Sequence, residues 1–194
     1  MVKGQQDRII IGIDPGTNVM GYGVLKIENG KPVFMDMGVE VMTKIKDPYM
    51  KLKRVFDVTT ELVEKYLPDE FAIEAQFFGK NVQSMLKLGR AQGVAIAAAL
   101  ERDLPICEYA PLKVKMAITG HGDAAKEQVA SMLRRLVNIP EEMMKAKFDA
   151  TDALAVAYCH YLQASRPTIE GKKFSNWSSY ISANPEKVTK RKLK

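Results

Sequence analysis

The sequence predicts an α/β fold, a mixed five-stranded sheet flanked by helices, and three observations carry that reading. Residues 8–14, Arg8-Ile9-Ile10-Ile11-Gly12-Ile13-Asp14, form a β-branched run that stops at the turn signal Pro15-Gly16. Two more strand-like segments follow, joined by Asn29-Gly30, a strong two-residue hairpin signal. From residue 48 onward, stretches of helical spacing alternate with short apolar runs, the pattern of parallel strands linked by helices.

Each element has its own signal. The run 8–14 is apolar on both faces, so its strand is expected to be central and covered from both sides. Residues 21–28 and 32–42 read as the second and third strands. Residues 48–67 carry Leu52, Val55, Phe56, Leu62, Val63 and Leu67 at helical spacing, framed by Pro48 and Pro68. Residues 69–75 are a short apolar strand, and residues 81–102 a helix containing Gly89 and Gly93. Small residues there suggest close approach by another element, packing between subunits being one candidate. A strand at 104–109 and a short helix at 111–118 come next. Asp123 is expected to cap a helix reaching about Val137, Pro140-Glu141-Glu142 to make a brief turn, and residues 149–163 to form the last strong helix. The order β-β-β-α-β-α-β-α-α implies an antiparallel meander followed by parallel strands.

Composition narrows the function classes. A chain of 194 residues suits one well-buried domain, and 46% hydrophobic with 27% charged residues is ordinary for a soluble protein. The longest apolar runs, such as residues 94–100, fall far short of the roughly 18 residues a membrane span needs, so no membrane partner is expected. The polar start, Met1-Val2-Lys3-Gly4-Gln5-Gln6-Asp7-Arg8, has no apolar signal region, and a cytoplasmic location is expected. Cys107, Cys159, His121 and His160 lack ligand spacing. The cysteines read as small hydrophobes and His160 as structural, while His121 lies in a glycine-rich turn with no assigned role. Residues 1–165 carry 21 basic and 21 acidic side chains, and residues 166–194 carry 8 and 2, so the net +6 lies wholly at the end. The expected organisation is one domain over 1–165 and a basic, weakly ordered tail over 166–194, with Phe174 and Trp177 as its anchors. A balanced body still admits nucleic acid, because local patches rather than totals attract phosphate.

Four carboxylates point to a chemistry. Asp14 ends the central strand, although Asp-Pro-Gly is also a common turn in which Asp bonds its own backbone. Glu74 interrupts the apolar run Phe71-Ala72-Ile73-Glu74-Ala75. An unpaired ionised group is very costly to bury, so Glu74 needs a cation, a basic partner or open water at the strand end. Asp149 and Asp152 open the last helix three residues apart, which puts both on one face. Either can simply cap that helix, but the second is followed by the apolar Ala153-Leu154-Ala155-Val156. Together the four fit phosphodiester hydrolysis. Magnesium prefers carboxylate, phosphate and water oxygens, and two such ions roughly 3.5–4 Å apart assist an in-line displacement.

At these residues the chain resembles the RuvC family. Ile11-Gly12-Ile13-Asp14-Pro15-Gly16-Thr17 with Gly21-Tyr22-Gly23-Val24 resembles its first acidic motif, and Phe71-Ala72-Ile73-Glu74 with Phe77, Lys80-Asn81 and Leu86-Lys87-Leu88-Gly89-Arg90 the second. Glu108-Tyr109-Ala110-Pro111 with Val114-Lys115 and Ala125-Lys126 is similar to the intervening basic segment, and Asp149-Ala150-Thr151-Asp152-Ala153-Leu154-Ala155 to the closing motif. The likeness runs from about Ile9 to His160 and excludes the tail after Arg166. It implies a ribonuclease H-like fold and a homodimer that nicks two strands of a four-way (Holliday) DNA junction, in recombination and repair. It also implies Asp14, Glu74, Asp149 and Asp152 as metal ligands and catalytic carboxylates. Magnesium would be the cofactor, two ions per site, with manganese as a substitute.

The same resemblance places Lys115 and Lys126 at functional lysine positions, Lys126 in a catalytic role as well as against DNA. A solvated lysine is the ordinary alternative, but Lys126 is basic in a first helical turn, where the helix dipole disfavours it. Phe77 matches an aromatic position that could stack on unpaired bases, and a buried Phe77-Phe78 pair is its plainer reading. Lys80, Lys87 and Arg90 are candidates for phosphate contacts, which position DNA without reading sequence. A RuvA–RuvB branch-migration complex is implied as partner by likeness alone. The rival readings are another nuclease of the same fold acting on RNA–DNA hybrid or other branched substrates, an actin- or sugar-kinase-type ATPase, and a non-catalytic junction binder. The ATPase needs a second matching domain for which the length leaves no room.

Overall fold

The computed structural model describes residues 7–76, 81–143 and 148–164. β1 (Arg8–Asp14) pairs antiparallel with β2 (Val19–Glu28), which pairs antiparallel with β3 (Lys31–Val41). Asn29 and Gly30 close the hairpin with φ of 50° and 77°, the left-handed pair that such a turn demands. α1 (Pro48–Tyr66) is capped by Asp47, whose side chain accepts from the Tyr49 and Met50 amides, and ends on Leu67 in the left-handed region. β4 (Glu70–Glu74) then returns parallel to β1, α2 (Val82–Leu100) follows, and β5 (Ile106–Tyr109) lies parallel beyond β4. α3 (Pro111–Thr119), α4 (Lys126–Val137) and α5 (Phe148–Ala164) complete the order. The sheet reads β3-β2-β1-β4-β5, with β1 in the middle as expected.

The double-sided character of β1 is explained by the layers. Ile10 belongs to a cluster with Leu25, Ala72, Leu133, Leu154 and Val156 on the side of α3, α4 and α5. Ile11 and Ile13 join Val24, Phe71, Ile73, Val55 and Ala91 on the side of α1 and α2. Alternate side chains of one strand therefore feed two cores.

One expectation needs correction. Asp123 does not cap α4: the helix starts at Lys126, with Ala125 at the cap position and the Gln128 side chain accepting from the Ala125 amide at 2.9 Å. Gly122 and Asp123 form a turn instead, Ala124 is buried in the core, and Ala125 is extended, so the helix is delayed. Among the described residues no other element of the chain approaches Gly89 and Gly93, which leaves packing between subunits as the candidate that the sequence offered. A Cβ built at either would meet nothing within 4 Å, and this face of α2 also exposes Val82 and Leu86.

His160 is structural, as expected. It is buried, with Nδ1 2.7 Å from the Tyr109 hydroxyl and Nε2 3.1 Å from Glu70 Oε2, and so ties the end of α5 to β4 and β5. Cys159 is buried and Cys107 half-buried, in helix and strand as read. Among the described residues no helix is long and apolar enough to cross a membrane.

Candidate active site

The site forms where the central parallel pair ends. Ile13 lies opposite Ile73 in the β1–β4 register, so the next residues, Asp14 and Glu74, leave the sheet side by side. Successive side chains alternate across a sheet. Since Ile13 and Ile73 face α1 and α2, both carboxylates turn towards the layer that contains α5.

Glycines let α5 reach them. A Cβ at Gly12 would sit 2.2 Å from the Ala153 carbonyl oxygen, one at Gly21 2.0 Å from that of Asp149, and one at Gly23 2.4 Å from Leu154 Cα. The helix backbone therefore rests directly on β1 and β2, where any larger residue would hold it away. Gly21 is the register partner of Asp14, so the first turn of α5 is set down beside that carboxylate. Carboxylate oxygens of Asp14, Asp149 and Asp152 all lie within 4.8 Å of one another. Glu74 lines the same cleft, of about 240 Å³, with Asp14, Asp152, Lys115 and Lys126.

The electrostatics follow from this crowding. Burial, then the charges of Asp152 and Asp149, push the Asp14 carboxyl up to about 6 against the opposing pull of Lys126. Burial, then Asp14 and Asp152, push Glu74 up to about 8, with Lys126 and Lys115 opposing. Burial works against the charged form of Lys126. The hydrogen bond to Asp152 and the charges of Asp152, Asp14 and Asp149 outweigh it and raise the ammonium above the ordinary lysine value. Lys126 forms an ion pair with Asp152.

All four carboxylates and both lysines of the sequence reading thus converge. Lys87 is exposed at a second cleft, lined also by Thr17, Asn18, Lys46, Lys51 and Ser84. Arg90 is exposed on α2. Phe77, Lys80 and the tail 166–194 lie outside the described residues. His121 is exposed in the turn after α3. Sequence reasoning missed Gln92, whose Nε2 donates to Glu108 Oε2 at 2.7 Å and to the Glu74 carbonyl at 3.4 Å, bracing the end of β4 from α2. Its only signal was one amide within the small-residue stretch Ala91-Gln92-Gly93.

The donor set is all oxygen, and its members repel one another, which suits a hard divalent cation. Stability should therefore respond to pH and metal together. Asp14 and Glu74 titrate in the fold above their ordinary values of 3.8 and 4.5. The stability they favour is full below those ordinary values and is lost as pH rises through about 6 and about 8. Glu70 is shifted down by its His160 hydrogen bond, so its contribution fades only in more acid solution, outside this window. Metal-free protein is expected to lose on the order of 3 kcal/mol between pH 5 and pH 8.5, and saturating magnesium to restore it. Urea unfolding in chelator and in magnesium checks this, and metal-free stability that stays level or climbs over that range would refute it.

Comparison with known proteins agrees with this geometry. The family model for crossover junction endodeoxyribonuclease RuvC matches residues 10–160. The crossover junction endodeoxyribonuclease RuvC of Bacteroides fragilis is 56% identical over 188 residues, covering 97% of this chain and 100% of the relative. That of Porphyromonas gingivalis is 56% identical over 185 residues, covering 94% and 98%. The solved structure of T. thermophilus RuvC in complex with Holliday junction substrate superposes with a TM-score of 0.74 at 32% identity, covering 81% of this chain and 94% of that one. The fold is ribonuclease H-like, its one central strand and one glycine-seated helix bring distant acids together, and the chain belongs to the RuvC family of crossover junction endodeoxyribonucleases.

Proposed function

We propose that this chain is a magnesium-dependent endonuclease that resolves four-way DNA junctions by paired nicks, in recombination and repair. The observation that carries this reading is the convergence of Asp14, Asp149 and Asp152 within 4.8 Å, with Glu74 in the same cleft. These four would hold the metal, two magnesium ions per site, with manganese as a substitute. Bound there, the metal supplies an activated water and a counter-charge for the leaving oxygen.

The chain's own residues bind and orient the substrate. Lys126, with Lys115 beside it, brings positive charge to the cleft wall, where the phosphate gathers charge in the transition state. Phe77 stacks on unpaired bases at the crossover, and Lys80, Lys87 and Arg90 hold flanking phosphates.

Paired nicks need two such sites, and a homodimer supplies them. The open glycine face of α2, with Val82 and Leu86 exposed, supports a helix-on-helix interface. The nuclease domain is residues 1–165, and the basic tail 166–194 adds salt-sensitive, sequence-independent affinity. A RuvA–RuvB branch-migration complex is the proposed partner and the cytoplasm the proposed location, as suits bacterial relatives that act on DNA.

The test is incubation with magnesium and, in turn, a four-way junction, linear duplex and RNA–DNA hybrid. Symmetric paired nicks confined to the junction are expected. Cleavage of hybrid in preference to junction would favour the other nuclease of this fold, and tight junction binding without nicks would remove the enzymatic reading.

A further inference from the structure

Beside the acidic cleft lies a larger one, of about 550 Å³, which the carboxylate chemistry does not use. Its walls come from three separate segments. Thr17 and Asn18 belong to the loop that continues from Asp14, Lys46 and Lys51 to the approach and first turn of α1, and Ser84 and Lys87 to the first turns of α2. Three lysines therefore line one space. Among the described residues none of the three forms an ion pair with a carboxylate. Asp47, the acid next in sequence to Lys46, is occupied in capping α1 through the Tyr49 and Met50 amides. Lys51 is half-buried and held by Asn18 Oδ1 at 2.6 Å, a neutral acceptor that orients the ammonium and leaves its charge uncancelled.

Gathering like charges without counter-charge is unfavourable unless an anion completes the set. The cleft also carries two hydroxyls, on Thr17 and Ser84, suited to donate to phosphate oxygens. We infer that this cleft is a second DNA-backbone subsite, in which Lys46, Lys51 and Lys87 clamp phosphates of the strand being cut. This deepens the endonuclease reading and rests on it. The spacing supports one continuous strand. Only Pro15 and Gly16 separate Asp14 from Thr17, a chain distance of at most about 11 Å, no more than the rise of roughly three nucleotides at about 3.4 Å each. A strand whose scissile phosphate sits at Asp14 thus reaches the lysine cleft within a few nucleotides.

The subsite is tested by salt-dependent binding of a labelled synthetic four-way junction, in full-length protein carrying Asp14→Asn so that bound DNA stays intact. Lys46→Ala with Lys51→Ala is expected to raise Kd about tenfold and to flatten the slope of log Kd against log salt by about 1.8, at roughly 0.9 per released contact. Lys46→Arg with Lys51→Arg should restore both. A charge-matched control, Lys31→Ala with Arg135→Ala, replaces exposed residues that do not line the cleft and should leave the slope within about half a contact of the parent. Equal losses in the two doubles, or an unchanged slope in the first, would overturn the subsite. Nicking by the Asp14→Asn parent would be visible as product on the same gel and would count against the catalytic assignment instead, while the slopes still judge the cleft.

Discussion

Asp14→Asn is expected to lower single-turnover nicking of a four-way junction by at least ~10³-fold, about 4 kcal/mol of transition-state stabilisation, while making the metal-free protein more stable. The two effects have one cause. Asp14 is the carboxylate through which the site is knit together: it borders Glu74 across the sheet, shares a 4.8 Å neighbourhood with Asp149 and Asp152, and is pushed up to about 6 by burial and by those charges. Asparagine keeps its shape and one oxygen but removes the negative charge that a hard cation requires. At pH 8 it also removes the repulsion that the fold otherwise sustains, an expected gain of about 2–3 kcal/mol in chelator. Magnesium should then add much less to the unfolding free energy than it does for the parent. A purely structural aspartate would behave in the opposite sense, because losing a satisfied turn costs stability and leaves chemistry alone. Nicking within tenfold of the parent, or a fall in metal-free stability, would remove Asp14 from the role assigned to it.

How far the sequence reached depends on the physics behind each feature. β1 was legible because an apolar strand with no polar face has to be covered on both sides, and Ile10 against Ile11 and Ile13 shows both layers filled. The hairpin was legible because Asn29-Gly30 encodes its own dihedrals. The acidic site was legible through cost: Glu74 in an apolar strand and two aspartates on one helical face make little sense without a shared cation. Where the information is tertiary, the reading stopped. Asp123 has the right chemistry for a cap, but burial of Ala124 decides where α4 begins. Lys46 and Lys51 look like any solvated lysines until the fold lines one cleft with them, Lys87, Thr17 and Asn18. Gln92 gains its meaning only from the carbonyl and carboxylate that it happens to meet across α2 and β4. The glycines of β1 and β2 stood in the quoted motifs, yet their function is an interatomic distance, which a string of letters does not carry.

That distance supports the second large effect. Gly23→Ala adds a single uncharged methyl group, and it is expected to cost 3 kcal/mol or more of stability and about 10²-fold in nicking at fixed magnesium. The added Cβ would stand 2.4 Å from Leu154 Cα and 2.6 Å from both its nitrogen and its Cβ, whereas ordinary contact begins near 3.4 Å. The clash is with backbone, so no side-chain rotation relieves it, and α5 has to lift by about 1 Å or tilt. Leu154 and its neighbours Ala153, Ala155 and Val156 are fully buried or nearly so, which means lifting the helix opens voids along the whole core beneath it. Asp152 and Asp149 ride on the same helix, two and five residues from the point of contact, so the displacement is passed to two of the four ligands. The signature that separates this from general destabilisation is the metal response: more magnesium should be needed for half-maximal rate, and a large excess should recover part of the lost activity. A parent-like magnesium requirement in a variant that is merely less stable would mean that α5 can leave its glycine seat without moving the carboxylates, and the geometric basis proposed for the site would have to be abandoned.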